Sequence, residues 1–298
     1  MRSIVGVVPN FSEGRRRDVI DAIVHALSVE GARVVFAEAD ADHHRLDTTV
    51  LGSADAVRRS ALAGAVAAVE RIDMFEHHGG HPRMGAVDVV PFMPVRDLTM
   101  EACVELARGF ARELADTLAL PVYLYGEAAL LPERRSLADV RKGEFEGLRE
   151  AVAGGDRLPD FGPHEIGRAG ATAVGARKPL VAFNTYLAGG DEEAAKDIAR
   201  TIRESSGGLP AVRAIGFAVP ERGCVTVSMN LVDFEVTGLR EAFDAVEREA
   251  ATRGMEVLDS EIVGLAPEAA LPPGTEEHVR LAGFSGEKQL LERLLDPA

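Results

Sequence analysis

The sequence predicts an α/β (α+β) chain of two subdomains, each with the element order of a ferredoxin-like layer. Three observations carry this. Residues 180–263 alternate strand and helix patterns as β-α-β-β-α-β, the split order of such a layer. Residues 4–92 follow the same order, with no detectable sequence repeat, and a further helix and strand come after them. A glycine-rich stretch separates the halves, which places them at 1–178 and 179–298. Ligand pockets favour such junctions, so the ligand is expected between the two layers.

The elements follow in order. Ile4–Val8 is a short apolar strand ended by Pro9. After the turn NFSEG, Val19, Ile20, Ile23, Val24 and Leu27 fall on one face of a helix over about 16–29, which Gly31 stops. Val34–Ala37 is the next strand and runs into the acidic, histidine-bearing EADADHHR. Thr48–Leu51 is a third strand. Ser53 then caps an alanine-rich helix reaching about Arg71. A histidine loop leads into the strand Ala86–Phe92, followed by a helix over about 100–118 and the strand VYLYG.

From Glu127 to Gly175 the periodicity fails. RRSLADVRKGEFEGLRE suits short helices, and the glycine-rich remainder reads as a functional loop or a linker. In the second half the strands are 180–184, 212–219, 224–231 and 257–263, with helices at 191–204 and 239–252.

Composition narrows the function. A chain of 298 residues with 46% hydrophobic and 27% charged residues is an ordinary globular protein. Its formal net charge of -15 argues against a nucleic-acid binder. Two cysteines, Cys103 and Cys224, make neither a disulfide framework nor a metal set. MRSIVGVVPN lacks the features of a signal peptide, and no apolar run approaches the roughly 20 residues that span a bilayer. The expected location is cytoplasmic, away from membranes.

Chemistry concentrates in EHHGGHPRMGAVDVVPFMP, residues 76–94. Glycines permit close approach of a ligand and Pro82 stiffens the segment behind His81. Five of the eight histidines lie between His43 and His81, near Asp40, Asp42 and Asp47. His77 and His81 have the spacing of a helical zinc pair, but Gly79 and Gly80 between them argue against a helix, and HExxH is absent. General acid–base chemistry is the better reading, with His81 best placed, against a histidine that merely braces its loop. No GxSxG elbow or phosphate-binding loop occurs. Ser12 reads as a turn or capping residue, with anion binding at the following helix as the rival. Arg45, Arg83 and Arg177 are candidate clamps for a carboxylate.

VPNFSEG, GGHPRMGAVDVVPFMPV, PVYLYGEAA, DFGP with GATAVGARK, and NLVDFEVTGL, spread in order over most of the chain, closely resemble the glutamate formimidoyltransferase family. The resemblance implies transfer of a formimino group from N-formimidoyl-L-glutamate to N5 of tetrahydrofolate, the co-substrate, by a stand-alone homodimeric enzyme without a cyclodeaminase domain. It implies no metal. It places the catalytic histidine on His81, with an acidic partner among residues 38–42, most plausibly Asp40. It also implies substrate contacts at His44, Arg45 and Arg83, and a folate loop of Gly162, Pro163, His164, Glu165, Ile166, Gly167, Arg168, Ala169 and Gly170. The chain differs from the family pattern at HHRL (43–46), where a small hydroxyl residue is usual in place of Leu46. Rival readings are a formyltransferase or ATP-driven cyclo-ligase acting on 5-formyltetrahydrofolate, and a folate-binding protein with little turnover.

Overall fold

The computed structural model describes residues 3–294, which divide into two compact units, 1–177 and 178–298. The first unit carries β1 (Ile4–Val7), β2 (Asn10–Phe11), α1 (Arg17–Leu27), β3 (Ala32–Asp40), β4 (Arg45–Gly52) and α2 (Ala54–Arg71). It continues with β5 (Val87–Arg96), α3 (Met100–Leu118), β6 (Val122–Gly126), α4 (Leu137–Val140), α5 (Glu144–Ala153) and β7 (Thr172–Ala176). β1 and β2 act as one strand interrupted at Val8–Pro9, because both lie between β4 and β5. The sheet therefore runs β3, β4, β1/β2, β5, β7, β6. Its first four positions are antiparallel in the ferredoxin-like order, whereas β7 pairs parallel with both β5 and β6.

The second unit repeats that order alone. β8 (Val181–Ala188), α6 (Glu192–Ile202), β9 (Val212–Val219), β10 (Cys224–Leu231), α7 (Leu239–Ala251) and β11 (Glu256–Val263) form a sheet in the order β11, β8, β10, β9. The short helices α8 (Thr275–His278) and α9 (Gly286–Gln289) follow. α6 begins at Asp191, whose carboxylate accepts the Ala194 amide, and buries Ala195, Ile198, Ala199 and Ile202 at helical spacing. No helix among the described residues is long and apolar enough to cross a membrane.

Local signals place most elements. The Ser53 hydroxyl accepts the Ala56 amide at the start of α2, and the Thr99 hydroxyl does the same for Ala102 at the start of α3. α3 buries Cys103, Ala107, Phe110 and Leu114 on one face. One expectation needs correcting. GATAVGAR is not a linker: β7 runs through it, buried at all five residues. A strand covered on both faces shows no alternation, and its small residues imitate a flexible segment. The long tract before it holds α4 and α5.

Candidate active site

Three segments of the first unit meet at the histidines. The first is the turn from β2 to α1, the second the β3–β4 hairpin tip, and the third the loop from α2 to β5. Gly79 allows the contact, since a Cβ there would stand 2.5 Å from the His43 carbonyl oxygen and 2.7 Å from the His44 Cβ. The Gly80 amide also donates to the Asp42 carbonyl at 3.2 Å. Ser12 is corrected by this geometry. It does not cap α1, whose N-cap is Arg16. Its hydroxyl is buried and donates to the Gly85 carbonyl at 2.8 Å, fastening the turn to the end of the histidine loop.

Glu13 anchors the centre. Its side chain is fully buried; Oε1 accepts the Arg15 and Arg16 amides at 2.9 Å each, and Oε2 accepts the Arg16 guanidinium at 2.6 Å. Burial alone would raise the carboxyl's pKa, but these amides and the guanidinium outweigh it and hold it below the usual range. The same Oε1 faces His44 Nε2 at 3.1 Å. His44 sits at φ 54°, as the hairpin tip requires, and stacks on His77 with ring centroids 4.2 Å apart and planes 4° from parallel.

His77 is held neutral in that stack. Its Nε2 donates to the His44 carbonyl at 3.1 Å, so Nδ1 keeps its lone pair and accepts from Arg83 Nε at 3.4 Å. A second proton on Nδ1 would face that N–H. Burial is the largest cause of a pKa lowered from 6.5 to about 4. The unfolded chain binds this proton near pH 6.5 and the folded chain does not until about pH 4. Folding stability is thus expected to be complete above pH 6.5 and to fall by roughly 3 kcal/mol as pH drops to about 4. Urea unfolding of wild type and His77→Gln across this window checks it. The variant should show the shallower slope, and equal slopes would refute the assignment.

Two of the three expected arginine clamps, Arg83 and Arg45, are already paired. Arg83 holds the Glu146 carboxylate in bidentate fashion at 2.7 and 2.8 Å and Glu144 at 2.8 Å, fixing the start of α5 to the loop. Arg45 is buried between Asp47 at 2.9 Å and Asp88 at 2.7 Å. Both guanidiniums therefore bind the protein's own carboxylates.

His81 follows the same loop. Its Nδ1 donates to the Pro82 carbonyl at 2.7 Å, which leaves Nε2 as the basic nitrogen. Burial lowers the ring's pKa below its ordinary value, the Arg45 and Arg141 charges lower it further, and the Pro82 carbonyl and Asp88 oppose them. A histidine of this kind is neutral at pH 7 and ready to accept a proton. Asp40 is not its direct partner. Its carboxylate takes His43 Nδ1 at 2.6 Å and the Asp42 and His43 amides at 2.8 Å, because the carboxylate folds back over its own turn. The His43 ring in turn stands edge-on to His81, centroids 6.2 Å apart.

The 162–170 loop reaches the site through its second half. Gly170 lies at φ 74° and bridges to Gly85, and a Cβ there would stand 2.4 Å from the Met84 carbonyl oxygen. Arg168 pairs with Asp73 at 3.2 Å, and its carbonyl accepts the Met74 amide at 2.9 Å. Gly162, Pro163, His164, Glu165 and Gly167 are exposed, Ala169 is half-buried and Ile166 is buried. A cleft of about 480 Å³ is lined by His44, His77, Arg15, Arg16, Arg71 and Arg168 among others. Its four arginines outnumber its two acids, Asp73 and Glu76, a balance that favours an anionic ligand. A larger cleft of about 700 Å³ beside Tyr123, Arg134 and Asp160 contains no histidine.

Sequence reasoning missed Glu13, Asp88, Arg141, Glu144 and Glu146. Asp88 had one signal, as the lone charge within the apolar AVDVVPF. Cys103 is a buried thiol whose pKa burial pushes up to about 12, which removes it as a nucleophile. Among the described residues, no three histidine, cysteine or acidic side chains converge as metal ligands.

Residues 4–177 match the formiminotransferase domain's N-terminal subdomain, and residues 182–282 match the formiminotransferase domain. The glutamate formimidoyltransferase of Streptococcus pyogenes is 42% identical over 297 residues, covering 99% of both chains. That of Thermoplasma acidophilum is 42% identical over 299 residues, covering 99% of this chain and 98% of the other. The formimidoyltransferase-cyclodeaminase of Sus scrofa is 43% identical over 304 residues, covering 99% of this chain but 55% of that protein. With both domains matched in order and two of these relatives this similar over nearly their whole length, the chain belongs to the formiminotransferase family.

Proposed function

We propose that this protein transfers the formimino group of N-formimidoyl-L-glutamate to N5 of tetrahydrofolate, with His81 as the acid–base residue. N5 attacks the formimino carbon and a tetrahedral intermediate forms. His81 Nε2 takes the N5 proton and returns a proton to the glutamate nitrogen as the bond from carbon to that nitrogen breaks. One group passes from nitrogen to nitrogen, with no net change in protons. The observation that carries this reading is the locked His81 ring, its Nδ1–H held by the Pro82 carbonyl. The depressed pKa of the ring supports it. Arg168 lines the arginine-rich cleft beside His44 and His77, which supports folate contacts along 162–170. The same reading carries a cytoplasmic homodimer, as the family resemblance implies.

The test supplies purified protein with tetrahydrofolate and N-formimidoyl-L-glutamate. The expected products are 5-formimidoyltetrahydrofolate and L-glutamate in equal amounts. No turnover with this pair, together with turnover of 5-formyltetrahydrofolate, would replace this reading with the formyl-group reaction.

A further inference from the structure

Beside His81 lies a second cluster that the proposed chemistry does not use. Asp88 is the middle of it, with no exposed side-chain surface. Its Oδ1 accepts the Met84 amide at 2.9 Å, three residues past His81, so the carboxylate is tied to the catalytic loop. Its Oδ2 accepts Arg45 at 2.7 Å from the hairpin and also Arg141 from the end of α4. Arg141 differs from Arg45 and Arg83 in two respects. Its side chain keeps 13% exposure, and its Nε–H is buried with no acceptor among the described residues. A buried guanidinium donor left unpaired is costly and marks a place where an acceptor belongs.

We infer that Arg141 holds the α-carboxylate of the formimino donor, and that Asp88 is the positioning residue that aims it. This rests on the function proposed above. The carboxylate is assigned to the donor by bond count. In N-formimidoyl-L-glutamate the α-carboxylate hangs on the carbon bonded to the departing nitrogen. In tetrahydrofolate the glutamyl carboxylates lie beyond the p-aminobenzoyl group, far from N5. Arg141 binds Asp88, whose other oxygen takes the Met84 amide three residues past His81, so a carboxylate held there lies beside the His81 loop. Nε–H lies beside Nη2, which gives one N–H to Asp88 and has a second, so the two nitrogens can complete a planar fork suited to a carboxylate.

The experiment compares N-formimidoyl-L-glutamate with 4-(formimidoylamino)butanoate, which is the same donor without its α-carboxylate. Wild type should favour the glutamate donor by about 10–100-fold in kcat/KM, the worth of one charge-assisted contact. Arg141→Met should bring that ratio close to one while KM for tetrahydrofolate changes less than about twofold. Arg141→Lys should restore part of the preference, and Asp88→Asn should lower it without abolishing turnover. An unchanged ratio in Arg141→Met overturns the inference. So does a rise in KM for tetrahydrofolate alone, which would put the folate tail on this arginine. Calorimetric binding of L-glutamate and 4-aminobutanoate gives the same ratio without turnover. A wild type that discriminates between those two ligands but transfers nothing would refute the proposed reaction and leave this subsite standing.

Discussion

His81→Ala is expected to lower kcat by about 10²–10⁴-fold, the usual contribution of a positioned general acid–base residue. Folate affinity should change little, because the ring's known bond is to its own loop, at the Pro82 carbonyl. Steady-state kinetics and calorimetric titration with tetrahydrofolate measure the two effects separately. The wild-type profile of kcat/KM against pH adds a third readout. Since burial and two guanidiniums lower the ring's pKa, the base form persists below pH 6.5. Activity should hold through neutral pH and decline only on the acid side of that value. His81→Asn should lose this limb together with the rate. A variant that keeps wild-type turnover would remove His81 from the chemistry. Loss of folate binding without any wild-type turnover would favour a binding protein.

Asp88→Ala should be the most damaging change to stability. It leaves Arg45 buried without its inner partner and frees Arg141, and breaking a buried ion pair from one side costs about 3–5 kcal/mol. Urea unfolding with an unchanged m-value measures it. The sign with pH follows from the pKa. Burial would raise this carboxyl, yet Arg45, Arg141 and the Met84 amide hold it below the usual carboxylate range. Its contribution is complete above the unfolded-state value near 3.9 and is lost as pH falls through the lower folded-state value. The alanine variant should lack that acid dependence. A loss under 1 kcal/mol would show that Arg45 is satisfied by Asp47 alone.

Much of the fold was legible because its signals are local. Ser53 marks the start of α2, the Cys103–Phe110–Leu114 stripe gives α3, and the alternation of Val212 to Val219 gives β9. Such patterns depend on backbone periodicity and capping, which neighbouring residues set. β7 was hidden because a small-residue strand buried on both faces needs no alternation. The histidine loop and the family were readable from ordered motifs, and they named His81 before any geometry was known.

The sequence by itself determined two α/β layers, most of their elements and the loop that carries His81. Which charges meet was decided by tertiary structure alone. Arg83 binds Glu146 across 63 residues and Arg45 binds Asp88 across 43. Asp40 turned to His43 instead of His81, and the arginine with a donor to spare proved to be Arg141. Ion pairs of this kind follow from strand register and loop docking. A guanidinium in the sequence looks the same whether its partner is a protein carboxylate or a substrate.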